Sequence, residues 1–92
     1  HPRIVNVNQF EIEVVPEGVL LVTEHNDKPG VIAAISAVLG KADVNISRMQ
    51  VGVAEDGQHA MAVISISEKI DDALLQQVAE ISAVTSARQI EM

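Results

Sequence analysis

Polar and apolar positions follow two different periods along the chain. From Arg3 to Gly18 the residues RIVNVNQFEIEVVPEG alternate, with Ile4, Asn6 and Asn8 set against Val5 and Val7, then Phe10, Ile12 and Val14 against Glu11 and Glu13. Period two predicts strands, whose successive side chains point to opposite faces. Asn8-Gln9 is suited to turn this segment into a hairpin and Pro16-Glu17-Gly18 to end it, because these residue types favour chain reversal. The run VLLVTEH, Val19 to His25, is mostly apolar and of strand length, as an internal strand would be. After it the period changes: Val31, Ile35, Val38, Leu39 and Ala42 recur at the three-and-four spacing of a helix with one buried stripe.

Asp27 or Lys28 stands at the mouth of that helix, where an aspartate can accept from free first-turn amides and Pro29 sacrifices no intrahelical donor. Gly40 and Asp43 mark its end, and Asn45 opens a strand from Ile46 to Ala54, closed by the turn residues EDG at 55–57. The next strand, His59 to Ser67, sets Ala60, Ala62, Ile64 and Ile66 against Met61, Val63, Ser65 and Ser67. A second helix fits Asp71 to Ile81, with Leu74, Val78 and Ile81 inward and the Asp71-Asp72 pair at the partly positive helix start. VTSARQIEM reads as a closing strand. The order strand, helix, strand, strand, helix, strand predicts an α+β ferredoxin-like two-layer sandwich over 18–92, with 1–17 as a hairpin extension. Two helices cover one face of four strands, so the surplus apolar residues Met49, Val51, Val53, Met61 and Val63 are expected to meet the hairpin or a second copy.

A chain of 92 residues makes one small domain. Phe10 is its single aromatic residue and the net charge is −7, which excludes nucleic acid as a partner, since base recognition uses aromatic stacking in a positive field. Without cysteine there are no disulfides or thiolate metal sites, and a reducing cytoplasm is the expected setting. The sequence has no apolar run of membrane-spanning length and no signal-peptide pattern, so no membrane partner is expected. Opening on His1 rather than Met, it reads as a segment of a longer chain.

Catalysis is not expected, because Ser36, Ser47, Ser65 and Ser67 fall where a helix surface or strand alternation explains them, with no sheltered nucleophile and base. His1, His25 and His59 lie in three separate segments without the pairing of helical metal ligands, so no metal site is expected. HNDKPGV, His25 to Val31, is different: it carries more polar groups than a turn needs. At a helix start, the amides of Gly30 and Val31 can receive an anion, and Gly30 lets it approach the backbone closely. Asp27 could take an ammonium group, while His25 or Asn45 could read a side chain. A structural account is equally open: Asp27 as helix cap, His25 as a strand-end polar residue, Asn45 as a turn amide in the left-handed region.

HNDKPGVI followed by ADVNISRMQVG closely resembles the signature of ACT domains, and PRIVNVNQFEIEV resembles the hairpin that leads into those of D-3-phosphoglycerate dehydrogenases. The resemblance implies a non-catalytic regulatory domain that senses L-serine, with the NAD-dependent reaction on other domains and no cofactor on this segment. It implies a ligand site where two ACT domains pair, with His25 on the ligand hydroxyl or carboxylate, backbone groups of Gly30 and Val31 at the helix mouth, Ile32 lining the pocket and Asn45 reaching across. Asp27 stands where the family has Asn or Asp, Asn being the form associated with serine. The ACT domain of iron-sulfur L-serine dehydratase is a second resemblance, with a similar hairpin and loop.

Overall fold

The computed structural model describes residues 3–7, 10–14, 18–54 and 56–91. Two short strands, β1 (Arg3–Val7) and β2 (Phe10–Val14), pair antiparallel as the alternation requires. The turn assigned to Asn8-Gln9, and Pro16-Glu17 of the closing turn, lie outside the described residues. The body follows in the predicted order: β3 (Val19–Asn26), α1 (Val31–Lys41), β4 (Ile46–Val53), β5 (His59–Ile66), α2 (Asp72–Ala79) and β6 (Val84–Glu91). Its strands form one antiparallel sheet in the order β4-β5-β3-β6. β3 and β5 are the two internal strands and the most buried, which explains the lack of clean alternation in β3.

Helix burial follows the predicted stripe at Val31, Ile35 and Leu39, which meet Leu21, Ala62, Ile64, Ile66 and Val78. Ala42 does not join it: it is the exposed C-cap of α1. A smaller cluster of Leu20, Val22, Ala54, Met61 and Val63 lies on the opposite face. The hairpin accounts for part of the apolar surplus, since β2 approaches β4 and β5.

Gly40 belongs to α1 rather than ending it, and Asp43, not Asn45, takes the left-handed conformation, φ 59°. The Asp43 amide donates to Gly40 O (3.1 Å) and the Val44 amide to Leu39 O (3.0 Å), closing the helix while Val44 packs on the core.

Each edge of the sheet carries a bulge. Ser47 is the extra residue of β4, opposite β5, and its hydroxyl donates to Ser65 O at 3.4 Å. Thr85 is the extra residue of β6, opposite Glu24 and His25, and its hydroxyl donates to Glu24 O at 3.0 Å. Both hydroxyls thus donate to a carbonyl of the strand opposite the bulge.

Ala83 has φ 79° in a tight turn where the Val84 amide donates to Ile81 O at 3.0 Å. Its third position calls for glycine, and a Cβ there costs about 1–2 kcal/mol. Ala83→Gly is expected to raise stability by about 0.5–1 kcal/mol after the greater freedom of glycine in the unfolded chain is subtracted. Urea denaturation checks this; an unchanged or lower midpoint would show that the turn is not strained.

Candidate functional site

β3 carries Leu21, Thr23 and His25 on the helix-facing side, the parity fixed by pairing Leu21 with Ile64, Thr23 with Ala62 and His25 with Ala60. His25 is thus a buried residue next to the end of the strand, 3% exposed, the strand-end position that the structural account gives it. Its Nδ1 is enclosed and has no hydrogen-bond partner among the described residues. Burial pushes the imidazole below its ordinary pKa, and the nearby Asp27 carboxylate only partly opposes this.

The chain then rises through an exposed loop, 27–30, into α1. Asp27 does not cap the helix: Gly30 holds the N-cap position with φ 87°, and no side chain bonds to the first turn. Pro29 lies before the cap, outside the first turn where it was expected. A left-handed residue at that point requires glycine, and the space a Cβ would enter is open. The Val31 amide turns back to Lys28 O at 3.5 Å, while those of Ile32 and Ala33 have no acceptor among the described residues. The Gly30 amide likewise has no acceptor among the described residues, so the helix mouth offers open donors at Gly30, Ile32 and Ala33.

Two flanking turns pin the loop. The Asn26 amide donates to Ala83 O (2.8 Å), and the Asp27 amide to Gln58 O (2.7 Å). Gln58 is itself held by Asp56, whose carboxylate accepts from the Gln58 amide (2.8 Å), the His59 amide (3.1 Å) and, at 2.6 Å, bonds His59 Nδ1. The Gln58 amide and the His59 ring hold the Asp56 carboxyl below its ordinary pKa. Clefts of about 240 Å³, lined by Asn26, Asp27, Lys28, Gly57 and Gln58, and about 280 Å³, lined by residues that include Lys28, Gly30 and Ile81, open on the two sides.

His25, Asp27, Gly30, Val31 and Ile32 are therefore brought to one end of the sandwich. Val31 and Ile32 face their side chains toward the core. Asn45 is not with them. It precedes β4 at the opposite end of the sheet, where its amide donates to Ser67 Oγ (3.2 Å) and its carbonyl accepts from the Ser67 amide (3.0 Å). The length of β4, about 3.3 Å per residue, separates it from His25 within one chain. Sequence reasoning missed Thr23, fully buried with an unpartnered Oγ1 two residues before His25. Its signal was a single hydroxyl at inward parity in an apolar run.

No helix among the described residues is long and apolar enough to cross a membrane. The described residues include no group of three or more His, Cys, Asp or Glu placed to hold a metal ion.

Comparison with known proteins agrees with this architecture. The chain is 33% identical over 90 residues to a D-3-phosphoglycerate dehydrogenase of Bacillus subtilis, covering 98% of this chain and 17% of that protein. It is 30% identical over 91 residues to the D-3-phosphoglycerate dehydrogenase of Methanocaldococcus jannaschii, covering 99% of this chain and again 17% of the relative. A probable L-serine dehydratase beta chain of Bacillus subtilis is 30% identical over 88 residues, covering 96% of this chain and 40% of that one. The chain thus spans about a sixth of the dehydrogenases it matches. Among solved structures, the C-terminal domain of the MgtC protein from Mycobacterium tuberculosis shares the fold, with a TM-score of 0.60, 13% identity, and coverage of 94% of this chain and 92% of that one. Residues 18–83 match the ACT domain profile, and the chain belongs to the ACT domain family.

Proposed function

We propose that this chain is an amino-acid-sensing regulatory domain that binds L-serine between two paired copies, and that it controls a cytoplasmic NAD-dependent D-3-phosphoglycerate dehydrogenase. In this reading residues 1–17 are a connecting arm and 18–92 the sensor. The observation that carries it is the join of an uncapped helix start to a buried histidine without a partner. A zwitterion needs donors for its carboxylate, which the open amides of Ile32 and Ala33 supply, and an acceptor for its ammonium, which Asp27 supplies.

The position of Asn45 supports a paired site. Val51 and Val53 are 48% and 54% exposed on β4, an edge strand one side of which pairs with no other strand among the described residues. A two-fold pairing of β4 with its copy would be antiparallel, so the start of one strand would meet the end of the other. That brings Asn45 of the partner subunit toward Val53, Ala60 and His25, which share one face in neighbouring strands. The domain would bias its enzyme by about 1–3 kcal/mol through this joint, and the coupling must be reciprocal.

A thermal-shift panel of L-serine, D-serine, L-alanine and glycine tests this. L-Serine at about a hundred times its Kd should stabilise the protein by about 2.7 kcal/mol. A flat panel would leave a pairing module without an effector. The likeness to the L-serine dehydratase chain supports a second reading, with the same ligand and another attached enzyme; the full-length chain separates the two, because a nicotinamide-binding glycine motif belongs to the dehydrogenase.

A further inference from the structure

The turn between β4 and β5 is held by more bonds than chain reversal requires. Gly57, with φ 71°, its amide on Ala54 O (2.9 Å) and the Ala54 amide on His59 O (2.8 Å) already close it. Asp56 adds three more. One carboxylate oxygen accepts the Gln58 amide (2.8 Å) and the His59 amide (3.1 Å), and the other bonds His59 Nδ1 at 2.6 Å. The His59 amide belongs to the same planar peptide unit as the Gln58 carbonyl, and in a trans unit the two point in opposite directions. A carboxylate that fixes the N–H on one side therefore aims the C=O to the other.

What that carbonyl meets is the Asp27 amide, at 2.7 Å, one bond beyond Asn26 and His59, the last paired residues of β3 and β5. On the other side, the Asn26 amide is tied to Ala83 O at 2.8 Å. These bonds act on consecutive residues and set the direction in which the chain leaves the sheet for α1. The cleft of about 240 Å³ lined by Asn26, Asp27, Lys28, Gly57 and Gln58 lies in the seam between loop and turn. If the peptide unit after Gln58 rotates, the Asp27 amide loses its acceptor and the loop is left to pivot on the bond to Ala83.

We propose that Asp56 is a positioning residue for the amino-acid site: by fixing the peptide plane between Gln58 and His59 it holds the Asp27 amide, and with it the carboxylate that receives the ligand's ammonium group. This rests on the amino-acid-sensing reading above and adds the residue that keeps its loop in place. Asp56 itself touches no ligand. Its effect runs through population, because a loop that is competent for only a fraction of the time binds with an apparent Kd raised by the inverse of that fraction. A loop held beforehand presents the Asp27 carboxylate and the helix-mouth amides together, so that binding does not have to order them.

Hydrogen exchange at the Asp27 amide, read by NMR, and calorimetric titration with L-serine test it on the wild type, Asp56→Ala, Asp56→Asn and Asp71→Ala. Asp56→Ala should speed that exchange by about fivefold or more and weaken L-serine by about fivefold to tenfold. Asp56→Asn keeps an oxygen for both turn amides and should stay within about twofold of the wild type in each. Asp71→Ala controls for general stability: it removes the cap on the Leu74 amide (2.8 Å) at the start of α2, and should lower the melting temperature while changing neither readout by more than about twofold. Unchanged exchange or full affinity in Asp56→Ala overturns the proposal, as does an Asp56→Asn that behaves like alanine. An Asp71→Ala that weakens L-serine equally overturns it too, since stability alone would then account for the loss. A wild type that binds no L-serine overturns the sensing reading and the ligand role of Asp56 with it, while exchange at the Asp27 amide alone decides whether Asp56 holds the loop.

Discussion

Lysine at both Val51 and Val53 is expected to abolish the proposed pairing and to weaken the proposed response to L-serine by more than about tenfold. Both valines are about half exposed at the helix-side edge of the sheet, and they are the large apolar residues that the fold leaves on β4 without cover. Full burial of a valine contributes about 1.5–3 kcal/mol, so completing the half-burial of two such residues on each of two subunits contributes about 4 kcal/mol. Lysines remove that contribution and place like charges opposite one another, the device by which natural edge strands resist pairing. The isolated fold should change little, because exposed substitutions outside special contacts usually stay within about 0.5 kcal/mol. Sedimentation with and without ligand reads the first effect, and calorimetry the second. A variant that remains dimeric, or a monomer that binds L-serine as the wild type does, would show that β4 is not the joint and that one chain holds the whole site.

The fold was legible because its periods are unambiguous. Val31, Ile35 and Leu39 could make only a one-sided helix, and Ala60 to Ile66 only a strand, so order and type followed from spacing. Errors fell where local chemistry has more than one solution. Asp27 had every property of a helix cap, yet the chain needs a left-handed residue just before Val31, and Gly30 meets that need without strain. The same competition moved the left-handed residue after α1 from Asn45 to Asp43, since the closing bonds to Leu39 and Gly40 fix which residue must turn.

The site was legible by halves. A crowded loop announced His25, Asp27 and Gly30, because polar groups in excess of what a turn uses are visible in one dimension. Depth is not. Whether His25 sits at the surface or in the sheet depends on its neighbours Ala60 and Val84, which lie far along the chain and are brought beside it only by strand pairing. Thr23 escaped notice for the same reason: an isolated hydroxyl in a strand is unremarkable until its partners are counted.

Replacing His25 by leucine is expected to make the protein more stable and blind to its ligand. The imidazole is enclosed, its Nδ1 has no partner among the described residues, and burial favours its neutral form. An unanswered buried polar atom costs about 1–3 kcal/mol, so a leucine of similar volume should raise stability by about 1 kcal/mol or more at neutral pH. It should also weaken L-serine by more than about 20-fold, because nothing then meets the hydroxyl. Acid should separate the two proteins further. With the folded pKa below the ordinary 6.5, the unfolded chain binds the proton first. Wild-type stability is thus at its full value above about pH 6.5, falls as the pH drops toward the lowered folded value, and gains no further loss from this group below it. The leucine variant lacks that fall, and the difference between the two urea titration series from pH 8 to 5 isolates it from the carboxylates common to both. Equal slopes would mean that His25 is solvated in solution. A variant that still answers L-serine would remove the histidine from the site. The expected pair of results, higher stability with lost recognition, would identify the unpartnered imidazole as a group that serves binding at the expense of the fold.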